Sequence, residues 1–283
     1  MQIEKARELG FCFGVRRAIK IIQAASIEYK GITTLGPIVH NKQVVARLSE
    51  MGIQVVTELS QIQSEAIAIT SHGIAPALLT QIRSRALHII DTTCPIVRSA
   101  QKAADKLSKN GFGVVIFGEA THPEVKGLLG WAGSNAMATR NGQDMINSNL
   151  PGRLGILSQT TQSRTEYAEF IKEVFNVSFP HVQELRVINT LCQETQKRQE
   201  AALELAGKSD LIIVVGGYNS ANTKHLAEIC QPIVETHLIE KGDEIERHWL
   251  KGKKHIGVTA GASTPDESID EVILRLNSFG DTG

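Results

Sequence analysis

A chain of 283 residues, 42% apolar and 21% charged, has ordinary globular composition and enough apolar side chains for two or three small cores. Thirty basic residues balance thirty acidic ones, with no basic run to suit nucleic acid and no acidic tail. The longest apolar runs, such as Leu211 to Gly217, are far too short to span a bilayer, and Met1-Gln2-Ile3-Glu4-Lys5 lacks the apolar core of a signal peptide. The expectation is a cytoplasmic protein with neither nucleic acid nor membrane as partner. Four separated cysteines in a chain of this length are not a disulfide framework, and in a reducing compartment they point to metal, catalysis or nothing.

In chain order, a strand from Gln2 to Glu8 leads to Gly10-Phe11-Cys12-Phe13-Gly14. A helix follows, with Val15, Ala18, Ile19 and Ile22 on its apolar face. Ile32–Leu35 predicts a strand, followed by Gly36-Pro37-Ile38-Val39-His40-Asn41 and a helix through Leu48. Ala66–Thr70 predicts another strand, then Ser71-His72-Gly73 and a helix through Ile82. The strand Leu87–Ile90 delivers Asp91-Thr92-Thr93-Cys94-Pro95. After Cys94 the helical face is Val97, Ala100, Ala104 and Leu107. Gly113–Phe117 is a strand that leads into Gly118-Glu119-Ala120-Thr121-His122-Pro123-Glu124 and a helix. Leu154–Leu157 leads into Ser158-Gln159-Thr160-Thr161 and a helix over Tyr167–Phe175. Leu185–Ile188 delivers Asn189-Thr190-Leu191-Cys192, followed by a helix on Ala202, Leu205 and Ala206. Leu211–Val215 precedes Gly216-Gly217-Tyr218-Asn219-Ser220-Ala221-Asn222, and Ile256–Thr259 precedes Ala260-Gly261-Ala262-Ser263 and a final helix over Ser268–Leu276.

The pattern repeats three times: a cysteine before a helix, then two strand-loop-helix segments. The cysteines lie 82 and 98 residues apart, each about one small α/β unit. The expected division is 1–93 with the N-terminal strand, 94–191 and 192–283. Alternating strands and helices imply parallel sheets, whose ligands bind beyond the carboxyl ends of the strands. Six post-strand loops hold the unusual polar residues, and a pseudo-threefold arrangement would aim them and the three cysteines at one centre.

A cysteine at a helix N-terminus sits where free N–H groups and the macrodipole favour the thiolate, the form that binds metal. Taken singly, each of the three is a small residue of a type usually buried. Taken together, equivalent placement suggests one shared ligand. Structural zinc favours paired cysteines, and no Cys-x-x-Cys occurs here. An iron–sulfur cluster accepts ligands from separated segments, and three thiolates on four irons would leave one iron open. Cys230 falls late in a helix and in none of the loops, which suggests a structural role. His122-Pro123-Glu124 fits a capped helix start and also the His-x-Glu spacing of zinc deaminases, although the Pro-Cys-x-x-Cys of those enzymes is absent. His40, His72 and His122, with several helix N-termini, could hold a phosphate or diphosphate without an arginine cluster. Gln159-Thr160-Thr161, Asn219-Ser220-Ala221-Asn222 and Gly261-Ala262-Ser263 each suit a helix cap, and only their shared location argues for more. Besides an iron–sulfur enzyme, a zinc-dependent hydrolase or deaminase using His122 and Glu124, or a non-catalytic binding module, fits these residues. No Gly-x-Gly-x-x-Gly follows a strand, which argues against direct use of a nicotinamide cofactor.

The joint motifs resemble those of the 4-hydroxy-3-methylbut-2-enyl diphosphate reductase family, also called IspH or LytB. The matching pieces are Gly10-Phe11-Cys12, Val39-His40-Asn41, Ser71-His72-Gly73, Thr93-Cys94-Pro95 and His122-Pro123-Glu124-Val125. Gln159-Thr160-Thr161, Cys192 with Arg198-Gln199-Glu200, Asn219-Ser220 with Asn222, and Thr259 to Ser263 complete the match along nearly the whole chain. Phe13, Ala221 and Gln193-Glu194 depart from the usual pattern, Ala221 standing where a second serine is common. The resemblance implies a three-lobed, pseudo-threefold α/β trefoil of parallel-sheet units around a [4Fe-4S] cluster. It implies an oxidoreductase that removes the allylic hydroxyl of 4-hydroxy-3-methylbut-2-enyl diphosphate, giving isopentenyl and dimethylallyl diphosphate as the last step of the methylerythritol phosphate route to isoprenoids. Reduced ferredoxin or flavodoxin is the implied electron donor, and a monomer or homodimer the implied assembly. By position, Cys12, Cys94 and Cys192 match the cluster ligands. His40, His72 and His122, with Ser220, Asn222 and Ser263, match the diphosphate pocket. Glu124 matches the proton-relay acid, Thr160 the threonine at the substrate hydroxyl, and Thr195 a further active-site threonine. Gln159 and Thr161 flank Thr160 and count with the substrate-binding set.

Overall fold

The structure, a computed structural model, describes residues 1–147 and 151–280. Its elements begin with β1 (Gln2–Lys5), α1 (Phe13–Glu28), β2 (Ile32–Leu35), α2 (Lys42–Glu50), β3 (Ile53–Val56), β4 (Ala66–Ile69), α3 (Pro76–Arg83), β5 (His88–Asp91) and α4 (Pro95–Lys109). They continue with β6 (Gly113–Phe117), α5 (Pro123–Ala132), β7 (Ala136–Thr139), β8 (Arg153–Ser158), α6 (Arg164–Ser178), β9 (Glu184–Val187) and α7 (Gln193–Ala206). The last are β10 (Leu211–Val215), α8 (Ala221–Cys230), β11 (Thr236–Ile239), β12 (His255–Ala260) and α9 (Asp266–Gly280).

These elements form two compact units. One comprises Met1–Arg16, Val39–Glu50 and the chain from Gln193 onward; the other comprises Arg17–Ile38 and Met51–Cys192. The first unit holds a four-stranded sheet in the order β11-β10-β12-β1. The second holds two, ordered β3-β2-β4-β5 and β7-β6-β8-β9. Every strand pairing is parallel. The expected α/β class with parallel sheets is therefore present.

Central strands explain themselves by composition. The side chains of β4 (AIAI), β6 (GVVIF) and β10 (LIIVV) are buried along their whole length, as suits parallel strands covered on both faces. In the first unit, one core packs Ile213, Val215 and Val258 against Ile269, Val272 and Leu276 of α9. The opposite face packs Ile212 and Val214 against Ala202 and Leu205 of α7 and Leu226 of α8. In the second unit, α4 buries Ala100, Ala104 and Leu107 against Val114, Ile116 and Leu157. The apolar face read after Cys94 is thus the face that packs.

The sheets differ from the reading of the chain in two ways. Each has a fourth, short strand, β3, β7 or β11, that the sequence pattern does not announce. All three are edge strands of four residues with mostly half-exposed side chains. Moreover, β1 pairs with β12 in register, Gln2 opposite His255 and Ile3 opposite Ile256. The N-terminal strand therefore closes the sheet built by the C-terminal residues. With that strand included, all three sheets share one order. The strand that delivers a cysteine lies at an edge, beside β12, β4 or β8.

Candidate active site

Each cysteine is placed by the same local device. Leaving its edge strand, the chain donates the cysteine N–H to a carbonyl in the loop after the neighbouring strand. Cys12 N–H bonds Ala262 O at 3.0 Å, Cys94 N–H bonds Ser71 O at 3.0 Å, and Cys192 N–H bonds Thr160 O at 2.8 Å. Immediately afterwards α1, α4 or α7 begins. The carbonyls of Cys12 and Cys94 accept the first helical bonds, from Arg16 and Arg98, both at 2.9 Å. Cys12 Sγ also accepts Val15 N–H at 3.5 Å. All three cysteines are reduced thiols of intermediate burial. Cys230 differs: it is fully buried, its thiol is directed at Ala202 O at 3.8 Å, and burial pushes its pKa up to about 11. The structure thus separates three soft donors at helix N-termini from one inert core thiol.

In the second unit the candidate residues form one connected line. The His72 and His122 rings meet edge to face with centroids 5.5 Å apart. His122 caps α5, its Nδ1 accepting Glu124 N–H at 3.2 Å, with Pro123 in the first turn where no N–H is needed. The Nδ1 is thereby an acceptor, so a neutral His122 carries its proton on Nε2. Glu124 points inward and is 1% exposed. One carboxylate oxygen accepts Thr160 N–H at 2.6 Å and the other accepts Thr160 Oγ1–H at 3.0 Å. Desolvation pushes the Glu124 pKa up to about 7, against the lowering effect of both bonds from Thr160. Thr160 O then receives Cys192 N–H. Gln159 and Thr161 are joined by Nε2–H to Oγ1 at 3.2 Å, and Gln159 Oε1 accepts Glu119 N–H at 3.2 Å. Gly73, after His72, has φ +74°, and a Cβ there would overlap the Gln101 side chain of α4, so only glycine fits.

The first unit gathers Cys12, His40, Thr195, Ser220, Asn222 and Ser263. Ser263 Oγ–H reaches His40 O at 3.3 Å. The same carbonyl would lie 2.7 Å from a Cβ at Gly217. Burial holds the His40 imidazole below its ordinary pKa. Ser220 caps α8, its Oγ accepting Thr223 N–H at 3.3 Å. Asn222, on the first turn of α8, is 7% exposed, and both its amide oxygen and its amide nitrogen lack a partner among the described residues. A buried amide left so costs stability unless something else satisfies it, and an anion or its bound water has the right chemistry. Thr195 is buried on the first turn of α7. The loop that carries Cys12 turns at Gly10, φ +70°, where a Cβ would strike the Asp266 carboxylate.

Two arginines to which the sequence pattern gives no role hold these loops. Arg17 of α1 donates to Thr93 O at 3.1 Å, beside Cys94. Arg198 of α7 donates to Glu8 O, Gly10 O and Ala260 O. Because their acceptors are backbone carbonyls, no side-chain pattern marks either one; Arg198 shares the buried face of α7 with Thr195, Gln199, Ala201, Ala202 and Leu205.

Comparison with known proteins decides the family. The model of the family described as LytB protein matches residues 3–277. The chain belongs to the LytB family. The 4-hydroxy-3-methylbut-2-enyl diphosphate reductase of Dehalococcoides mccartyi strain CBDB1 is 49% identical over 278 residues, covering 98% of both chains. That of Geobacter sulfurreducens is 41% identical over 280 residues, covering 99% of this chain and 98% of the relative. Among solved structures, the Plasmodium falciparum E-1-hydroxy-2-methyl-but-2-enyl-4-diphosphate reductase aligns with a TM-score of 0.91 at 27% identity, over 98% of this chain and 88% of that one. A second, described as (E)-4-hydroxy-3-methyl-but-2-enyl diphosphate reductase, the terminal enzyme of the non-mevalonate pathway, aligns with a TM-score of 0.69 at 36% identity. It covers 98% of this chain and all of the other. Among the described residues, no helix of this LytB chain is long and apolar enough to cross a membrane.

Proposed function

We propose that this LytB protein is a 4-hydroxy-3-methylbut-2-enyl diphosphate reductase that removes the allylic hydroxyl as water and releases isopentenyl and dimethylallyl diphosphate. The nearly full-length identity to reductases supports that reading, and nothing in the comparisons favours the zinc-dependent hydrolase, deaminase or binding-module readings. The family implies an iron–sulfur cofactor. We assign its ligands to Cys12, Cys94 and Cys192, and its form to a [4Fe-4S] cluster with one iron free of protein thiolate. The donor set fits: three half-buried thiols at helix N-termini, with no paired Cys-x-x-Cys to prefer zinc. When bound, the cluster would relay the two electrons of the external donor one at a time and supply Lewis acidity.

The residues of the chain supply binding and protons. The substrate diphosphate is anionic, and Asn222 offers an unsatisfied buried amide to it. Ser220, Ser263, His40, His72 and His122 provide further donors in the same reading, and Thr195 and Gln159 line the site. A neutral His122 still donates from Nε2, because its Nδ1 is committed to the α5 cap. The reaction consumes two protons, one for the leaving oxygen and one for the allylic carbon skeleton. Glu124 supplies them and Thr160 orients the transfer, its hydroxyl already on the carboxyl group. The Glu124–Thr160 pair is the observation that carries this mechanism: a carboxyl buried at neutral pH, titrating near 7, in the line that ends at Cys192. Reduced ferredoxin or flavodoxin is the proposed donor.

The test is anaerobic purification, iron and sulfide quantification, and turnover with a low-potential chemical reductant. Brown protein that forms both isoprenoid diphosphates is the expected result. Colourless protein carrying zinc, or a loaded cluster without turnover, rejects the assignment.

His40→Ala and His72→Ala test the diphosphate assignment. Each is expected to weaken substrate binding by about 10- to 100-fold, the loss of one charge-assisted hydrogen bond worth about 1.5–3 kcal/mol. Iron content should stay at the parental level. Parental affinity in both variants would move the diphosphate elsewhere.

A further inference from the structure

Arg198 is 3% exposed, and among the described residues no carboxylate forms an ion pair with it. Among the described residues its guanidinium is held by carbonyls alone: Nη1 donates to Glu8 O and Ala260 O, both at 3.1 Å, and Nη2 donates to Gly10 O at 3.0 Å, while Nε has no partner there. A buried cation without a counter-ion is costly. The charge therefore asks for an anion. Burial holds its pKa below the ordinary guanidinium value. The three carbonyls are equally informative. Glu8 and Gly10 belong to the loop that turns into Cys12, and Ala260 ends β12 just before Gly261-Ala262-Ser263. Ala262 O in turn takes the Cys12 N–H.

We propose that Arg198 is a positioning residue with an electrostatic role. It ties the Cys12 loop to the Ser263 loop, and its charge compensates Cys12 and the cluster held there, favouring the reduced form. The inference rests on the iron–sulfur reading of Cys12. Each electron added makes a cluster more negative, so a fixed buried cation bonded to the loop that carries Cys12 raises the reduction potential. Lysine at 198 keeps the charge but replaces a planar fork with a single point donor, whereas methionine keeps bulk and loses both.

The experiment compares the parent, Arg198→Lys and Arg198→Met in two states. In anaerobically reconstituted protein, with iron and sulfide measured, the midpoint potential is expected to fall in Arg198→Met and to stay near parental in Arg198→Lys. In the apoprotein, Cys12 is alkylated separately with anionic iodoacetate and neutral iodoacetamide, and its peptide quantified. The ratio of the two rates reports local charge, because the thiolate fraction cancels. It should drop several-fold in Arg198→Met and hold in Arg198→Lys. The alkylation measurement stands even if Arg198→Met fails to take up iron. The clamp has its own readout: amide exchange at Gly10 to Cys12 and at Gly261 to Ser263 should accelerate in both variants. A parental alkylation ratio in Arg198→Met overturns the proposal. So does an unchanged potential in a fully loaded Arg198→Met protein, which leaves the iron–sulfur reading intact. A parent that binds no iron overturns both.

Discussion

Glu124→Gln is expected to slow single-turnover product formation by about 10²- to 10⁴-fold, the usual range for losing a general acid. Iron, sulfide and substrate affinity should stay parental. Glutamine preserves shape, and its amide oxygen can still accept the Thr160 N–H that Glu124 accepts at 2.6 Å. What disappears is the proton. A carboxyl with a pKa near 7 is roughly half protonated at neutral pH, so it can give a proton in one step and recover it in the next. The parental rate should therefore fall as pH rises above about 7, and this limb should vanish in Glu124→Gln. Thr160→Val removes one of the two bonds that favour the carboxylate, so the limb should move to higher pH with a smaller loss of rate. The measurement uses chemically reduced enzyme, which takes the natural electron donor out of the comparison. Near-parental turnover in Glu124→Gln would reject the carboxyl as proton source.

The same burial has a stability consequence with a definite sign. The folded pKa of Glu124, about 7, lies above the ordinary glutamate value of 4.5. The folded state thus holds its proton more tightly, and the associated stability is complete below about pH 4.5 and lost as pH rises through 7. At pH 8 the buried charge costs about 3 kcal/mol. Glu124→Gln should remove that cost, so the variant gains on the parent as pH rises from 5 to 8.

Both the repeated cysteines and the polar loops were legible because each rests on local chemistry. A thiol before a helical face and a Ser or His at a cap keep their meaning without tertiary context. Residues 32–35, 113–117 and 211–215 stand in the structure as strands with the bounds that their apolar runs predict. β3, β7 and β11 were not legible, because an edge strand such as AMAT or THLI has one paired side and little burial to demand β-branched or alternating residues. Nor could the partner of β1 be read: register with β12 depends on residues some 250 positions away. That pairing gives Cys12 the same setting as Cys94 and Cys192, an edge strand followed by a bond to the neighbouring loop. The role of Arg198 was hidden for a related reason. Its partners are backbone carbonyls, which leave no trace in side-chain pattern.

Cys94→Ser is expected to abolish most cluster absorbance without harming the fold. Serine is nearly isosteric, and it is a better N-cap than cysteine at the start of α4, so the apoprotein should melt at or above the parental temperature. The N–H bond to Ser71 O and the carbonyl bond from Arg98 involve backbone only and survive. Ligation does not survive, because an alkyl hydroxyl stays protonated at neutral pH and is a harder, weaker donor than thiolate. Cys12→Ser and Cys192→Ser should behave alike, their backbone settings being equivalent. Cys230→Ser provides the contrast. That side chain is enclosed between α7 and α8, with Ala202 O as its acceptor, and its thiol pKa of about 11 keeps it protonated. A hydroxyl can use the same acceptor, so some stability is lost but iron and sulfide remain at parental content. The four variants, reconstituted side by side under anaerobic conditions, separate ligands from a core cysteine by metal analysis alone. Cluster loss in Cys230→Ser together with retention in Cys94→Ser would overturn the ligand assignment.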